Sequence, residues 1–193
     1  KYMGIALFLE VALVYMILAS QFDSFSQPLM IMLSLPLSVI GAALHIVTHA
    51  IGKITLFFAA GAIYTAAHKT QVSELDGIAR RMPWTMAAFT VGALSLIGIP
   101  PAAGFFSKWY IMLGAAHGGQ WVALSVLALS TLLNAAYFLP IIYAAYFRAP
   151  APAAHPHGEA PWPMLAAMAV TTVLVLAFFC AADVLLGFAR QIV

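Results

Sequence analysis

The chain has 193 residues, a formal net charge of +2, 64% hydrophobic residues and only 7% charged ones. Soluble domains average about 45–50% apolar and about 25% charged, so this composition excludes a soluble domain. With cations so few and scattered, it also excludes a nucleic-acid binder. The single cysteine, Cys180, excludes an internal disulfide and a multi-cysteine metal site. Apolar runs of about 20 residues recur, the length that crosses a bilayer as a helix. The expected fold is all-α, a polytopic transmembrane helical bundle of about six or seven spans, integral to a membrane. The sequence runs from Lys1 straight into an apolar segment and reads as a piece of a longer protein.

The first expected span covers residues 4–20 and carries Glu10 near its middle. That carboxylate is either a proton carrier or a group kept neutral or paired by a neighbouring helix. After a polar break at residues 21–27, Pro28 opens a second span, where its missing N–H costs nothing, and Pro36 is expected to kink it. Residues 28–67 are apolar almost throughout. As one helix they would extend about 60 Å, twice the hydrocarbon thickness, so a break is expected between Gly41 and Gly52.

Inside that stretch stand His45, His49 and Lys53, spaced four apart. On a helix this spacing stacks all three on one face. Ionisable groups inside a membrane face protein or a wet path. A column of two imidazoles and an amine has the groups a proton relay requires. Neutral packing histidines with a lysine reaching to the interface satisfy the same spacing.

The connection at residues 68–82 carries Lys69, Glu74, Asp76, Arg80 and Arg81 and is expected to be solvated, on the cytoplasmic side by its excess of cations. A span at 83–99 follows, then Pro100-Pro101-Ala-Ala-Gly104, which cannot continue a helix. Non-helical backbone at membrane depth needs protein or water to cover it. Lys108 comes four residues later, in an otherwise uncharged run. It is either a shielded amine that takes up and releases protons or an anchor at the membrane edge. Gly118-Gly119 marks a turn, and a long span at 121–147 holds Asn134, Tyr137 and Pro140. The first two are expected to make helix–helix hydrogen bonds, and the proline a kink. Residues 148–161, rich in proline and alanine, read as a flexible linker rather than as a metal site, despite His155, His157 and Glu159. A last span covers 163–188, with Asp183 and Arg190 as an interfacial pair. No nucleotide loop, catalytic triad or cofactor motif occurs, so no cofactor, metal or catalytic residue is expected.

Two stretches carry family resemblances. Tyr2-Met-Gly-Ile-Ala-Leu-Phe-Leu9, Val14-Tyr-Met-Ile-Leu-Ala-Ser-Gln-Phe-Asp-Ser-Phe25 and the run from Pro28 to Ala42 resemble a helix pair of the resistance-nodulation-division efflux transporters. From Leu44-His-Ile-Val-Thr-His-Ala-Ile-Gly-Lys-Ile-Thr-Leu-Phe-Phe-Ala-Ala-Gly61 onward the chain is similar to the antiporter-like subunits of respiratory complex I and of multisubunit monovalent cation/proton antiporters. That likeness continues through Ser73-Glu-Leu-Asp-Gly77, Met82-Pro-Trp-Thr85, Gly98-Ile-Pro-Pro-Ala-Ala-Gly-Phe-Phe-Ser-Lys-Trp109 and Ser130-Thr-Leu-Leu-Asn-Ala-Ala-Tyr137. The Ser-Lys-Trp version points toward the antiporters' D-type subunit.

The resemblance implies a proton-translocating subunit in a bacterial inner membrane. Lys53, Lys108, His49 and His45 would lie on the proton path, and the lysine matching Lys108 is a central proton-transfer residue. The implied partners are other membrane subunits of a multisubunit antiporter or complex I-like assembly, the lipid bilayer, protons and sodium, with no nucleic acid. Any redox chemistry would sit in partner subunits, so whether the chain counts as part of an enzyme stays open. The expected organisation is an efflux-transporter-like helix pair at 1–43 and an antiporter-like core at 44–147. A linker at 148–162 and a terminal helix at 163–193 complete it, the whole reading as a chimera, with a proton-driven multidrug efflux transporter fragment and a non-functional fusion or structural membrane subunit as the alternatives.

Overall fold

In a computed structural model, residues 26–150 and 158–189 are described, with side chains from Val39 to Pro150, from Gly158 to Val184 and at Gly187. They form six α-helices: α1 (Ser26–Ala67), α2 (Pro83–Ile97), α3 (Gly104–His117), α4 (Trp121–Phe147), α5 (Trp162–Cys180) and α6 (Ala182–Ala189). There is no strand among the described residues. Within α1, Val39–Ala67 is long and apolar enough to cross a membrane, as are α4 and α5. The protein is an integral membrane protein.

The expected break between Gly41 and Gly52 is absent. Helix α1 runs unbroken for 42 residues, about 63 Å at 1.5 Å per residue. The glycines that suggested a turn serve a different purpose. A Cβ on Gly41 would stand 2.7 Å from the backbone nitrogen of Ile111 on α3, so this glycine lets two helices touch at their backbones. Thr48 and Thr55 donate back to the carbonyls of Leu44 and Ile51, at 2.9 and 2.8 Å, and stay within the helix.

Along α1 lies its partner, a second long helix broken in the middle. Ala88 of α2 shares a buried cluster with Ala59 of α1, Gly92 of α2 meets Gly52 and Leu56, Ser107 of α3 meets His45, and Ile111 of α3 meets Gly41. Numbers rise on one side as they fall on the other, so α2 and α3 together run antiparallel to α1. The interruption at Gly98–Ala103 is the expected proline break. Gly98 closes α2 in the left-handed region at φ 87°, a conformation open to glycine, and Pro100 and Pro101 block continuation. A Cβ on Gly104 would fall 1.8 Å from the Ser95 carbonyl oxygen, so the chain folds back here only with glycine.

The connection at 68–82 departs from the expectation of a solvated loop. Its first half is exposed, whereas Gly77, Ile78, Ala79 and Met82 are buried. Ile78, Ala79 and Met82 join Ile63 of α1, Met86 of α2 and Ala145 of α4 in the largest core cluster among the described residues. The Gly77 N–H donates to the Ala144 carbonyl at 3.0 Å, and Arg148 pairs with Asp76 at 3.3 Å. The last expected span is divided: Ala181 leaves the helix at φ −109°, ψ 40°. Helix α6 restarts with Asp183 in its first turn, where a carboxylate meets free N–H groups. Glu10, His155, His157 and Arg190 lie outside the described residues.

Candidate functional site

Lys108 sits at the helix break. Gly98 N–H makes the last ordinary helical bond, to the Leu94 carbonyl at 2.8 Å, and Ile99 N–H joins it there at 3.0 Å. The helical partners of the Leu96 and Ile97 carbonyls would be the N–H groups of residues 100 and 101, and both are prolines without one. Lys108 Nζ fills the gap, donating to Leu96 O at 2.8 Å and to Ile97 O at 2.9 Å. Its third hydrogen reaches Thr131 Oγ1 on α4 at 3.2 Å. An ammonium has three donors and no acceptor, so the charged group is fully satisfied. It also meets the negative end of the α2 dipole. The residue is only 7% exposed, and its amine bonds inward to α2 and α4, unlike a side chain reaching for headgroups. Gly98 makes room for it: a Cβ there would stand 2.8 Å from Lys108 Cδ.

One residue before Lys108, Ser107 carries the contact to α1. Its side chain is fully buried. Ser107 Oγ donates to the Gly104 carbonyl at 3.0 Å and lies 3.2 Å from Thr48 Oγ1. His45 Nδ1 approaches it at 3.0 Å. His45 Nδ1 donates to or accepts from the Ser107 hydroxyl according to the ring's tautomer. The rings of His45 and His49 lie 5.1 Å apart between centroids, one turn along α1 as the spacing predicts.

Lys53 is placed differently. It is exposed on α1 and lines an open cavity of about 400 Å³ with Leu96 of α2, Tyr137 and Phe138 of α4, and Lys69 and Gln71 of the connection. Leu96 is shared by both lysines: it lines the cavity with Lys53, and its carbonyl holds Lys108. Tyr137, expected to bond between helices, is 62% exposed on the wall of this cavity. Ser107, which precedes Lys108 on α3, bonds His45 of α1, His49 stacks one turn from His45, and Lys53 lies one further turn along α1 on the groove side. Ser107 and Thr131 are site residues that the sequence reading missed. Ser107 adjoins Lys108 and could have been suspected; Thr131 has no local signal.

Residues 7–134, more than half the chain, match the family model described as NADH:quinone oxidoreductase/Mrp antiporter, transmembrane. The chain belongs to this family. Among relatives of this transmembrane family is the NADH-quinone oxidoreductase subunit N of Desulforudis audaxviator, 46% identical over 126 residues. The match covers 65% of this chain and 25% of that protein, so the chain spans about a quarter of its relative's length. Among solved structures, the Mrp complex of Dietzia sp. superposes with a TM-score of 0.73 at 23% identity, over 86% of this chain and 40% of the other. That likeness is one of fold. An archaeal respiratory membrane complex, the membrane-bound sulfane sulfur reductase, superposes with a TM-score of 0.68 at 29% identity, over 81% and 27% of the two chains.

Proposed function

We propose that this chain is a segment of an antiporter-like subunit that translocates protons, coupled to a monovalent cation or to a respiratory complex, in a bacterial plasma membrane. Lys108, His45, His49 and Lys53 are its proton-path residues, and sodium is the candidate coupled cation. The partners are the other membrane subunits of such an assembly. The observation that carries this reading is Lys108, an almost fully buried amine held at a helix break. Ser107, its neighbour in the chain, contacts a histidine column. A membrane protein keeps an ionisable group in such a place for use rather than for stability.

The likeness of residues 2–42 to an efflux-transporter helix pair supports a second reading, that the first part of the chain derives from a drug exporter. One experiment separates the two. Lys53→Ala and Lys108→Ala are introduced into the full-length subunit in its assembly. Cation-dependent proton exchange is then measured in inverted vesicles beside drug susceptibility in cells. Loss of exchange of tenfold or more, about 1.4 kcal/mol per decade of rate, with unchanged susceptibility supports the antiporter reading. Unchanged exchange in both variants contradicts it, and a change in susceptibility alone favours the exporter.

A further inference from the structure

The cradle around Lys108 has an asymmetry that follows from donor and acceptor counting. Two of its three members are the backbone carbonyls of Leu96 and Ile97, which can only accept. The third, the Thr131 hydroxyl, can accept or donate. We propose that Thr131 is the positioning residue that serves Lys108 in both of its protonation states, turning from acceptor to donor as the lysine loses its proton. The inference rests on the proton-path role of Lys108.

The atoms balance in each state. The ammonium has three N–H bonds, directed at Leu96 O, Ile97 O and Thr131 Oγ1. When it releases the proton facing Thr131 to a water on the proton path, an amine remains with two N–H bonds and a lone pair facing Thr131. The two N–H bonds stay on the two carbonyls. The lone pair then needs a donor, and neither carbonyl can be one. Thr131 supplies it by rotating its O–H toward Nζ, with no heavy atom moving. Proton uptake reverses the sequence. Without the hydroxyl, the charged state keeps an unsatisfied N–H and the neutral state an unsatisfied lone pair, on a lysine that is only 7% exposed.

Thr131 belongs to α4, whereas the lysine and both carbonyls belong to the broken helix. The hydroxyl is therefore the point at which a neighbouring helix senses the charge on Lys108. The titratable groups that face α3 here are on α1: His45, bonded to Ser107, and His49 beside it. Among the described residues α4 carries no Asp, Glu, Lys, Arg or His. Thr131 is the α4 side chain hydrogen-bonded to the lysine.

The test uses the full-length subunit in its native assembly, with proton exchange in inverted vesicles and the subunit's membrane level measured together. Thr131→Val keeps the shape and removes the hydroxyl; Thr131→Ser keeps the hydroxyl. Ser130→Ala, on an exposed neighbour in the same helix, is the control. Thr131→Ala is run beside Thr131→Val, so that a failure of one to assemble leaves the other. The proposal expects a loss of exchange of about tenfold or more in the variants lacking the hydroxyl. It also expects exchange within about twofold of the parent in Thr131→Ser and Ser130→Ala. It is overturned if Thr131→Val or Thr131→Ala exchanges protons like the parent, or if Thr131→Ser is as impaired as Thr131→Val. Lys108→Ala in the same series tells the two claims apart. If it is fully active, the proton-path role itself falls; if it is inactive while Thr131→Val is active, only the role of Thr131 falls.

Discussion

Glu74 shows how a single exposed carboxylate organises the turn beside the cavity mouth. Its Oε2 accepts from the Thr70 and Gln71 N–H groups at 3.1 and 3.0 Å. Those bonds, from Gln71 first and Thr70 second, hold its carboxyl below the ordinary glutamate range, and Lys69 adds a smaller pull in the same direction. Because the folded value is depressed, the contribution of this turn is present above the unfolded value of about 4.3. It is lost as the pH falls through the folded value. Amide exchange at Thr70 and Gln71, corrected for its intrinsic pH dependence, is therefore expected to stay slow at neutral pH and to accelerate as the carboxyl protonates. Exchange that is equally fast across that range would show that the carboxylate does not hold the turn. At this same scale, the helical stacking of His45, His49 and Lys53 and the place of Lys108 just after a proline break were legible in the sequence, since both are local signals. Thr131 and Ser107 were not. Their partners lie 23 and 62 positions away, and a threonine or serine in an apolar helix reads like any small packing residue.

At the scale of elements, the N-terminus of α2 depends on a residue from the far end of the chain. Met82 at the capping position offers no side-chain acceptor. Glu159 provides one from 75 positions away, accepting from the Trp84 N–H at 2.6 Å and from the Thr85 hydroxyl at 2.7 Å. A residue read as part of a flexible linker thus ties the start of α5 to the start of α2. Glu159→Ala is expected to cost about 1 kcal/mol, in the range of lost helix caps, and Glu159→Gln less. A thermal or denaturant unfolding series in detergent measures this, and an unchanged midpoint in Glu159→Ala would remove the anchoring role. Helix α1 illustrates the opposite case. Its length against the bilayer argued for a break, but length is a global property, and nothing local in residues 41–52 enforces a turn. No proline stands there, and the glycine at 41 is occupied by close contact with α3. The Pro100–Pro101 break was legible because proline ends a helix by its own chemistry.

Among the described residues, one long helix runs beside a broken antiparallel partner, with α4 and α5 packed alongside. Val122, Val126, Leu129, Leu132 and Leu133 of α4 are exposed, as are Val170 and Val173 of α5. Such apolar faces suit lipid or further helices, and the chain spans only about a quarter of its relative. That α-helical membrane class was legible from composition alone. The pairing of α1 with α2 and α3 was not, because membrane helices choose partners by backbone proximity and small residues rather than by amphipathic pattern. The central claim is that Lys108 works by changing its protonation state and not by holding the break together. Lys108→Arg tests this most directly, since arginine keeps the charge and the donors for the α2 carbonyls but does not release its proton. In inverted vesicles with normal levels of assembled subunit, proton exchange is expected to fall at least about tenfold, as far as in Lys108→Ala. Exchange restored to the parent rate by arginine would mean that the residue is a structural cap and would contradict the account.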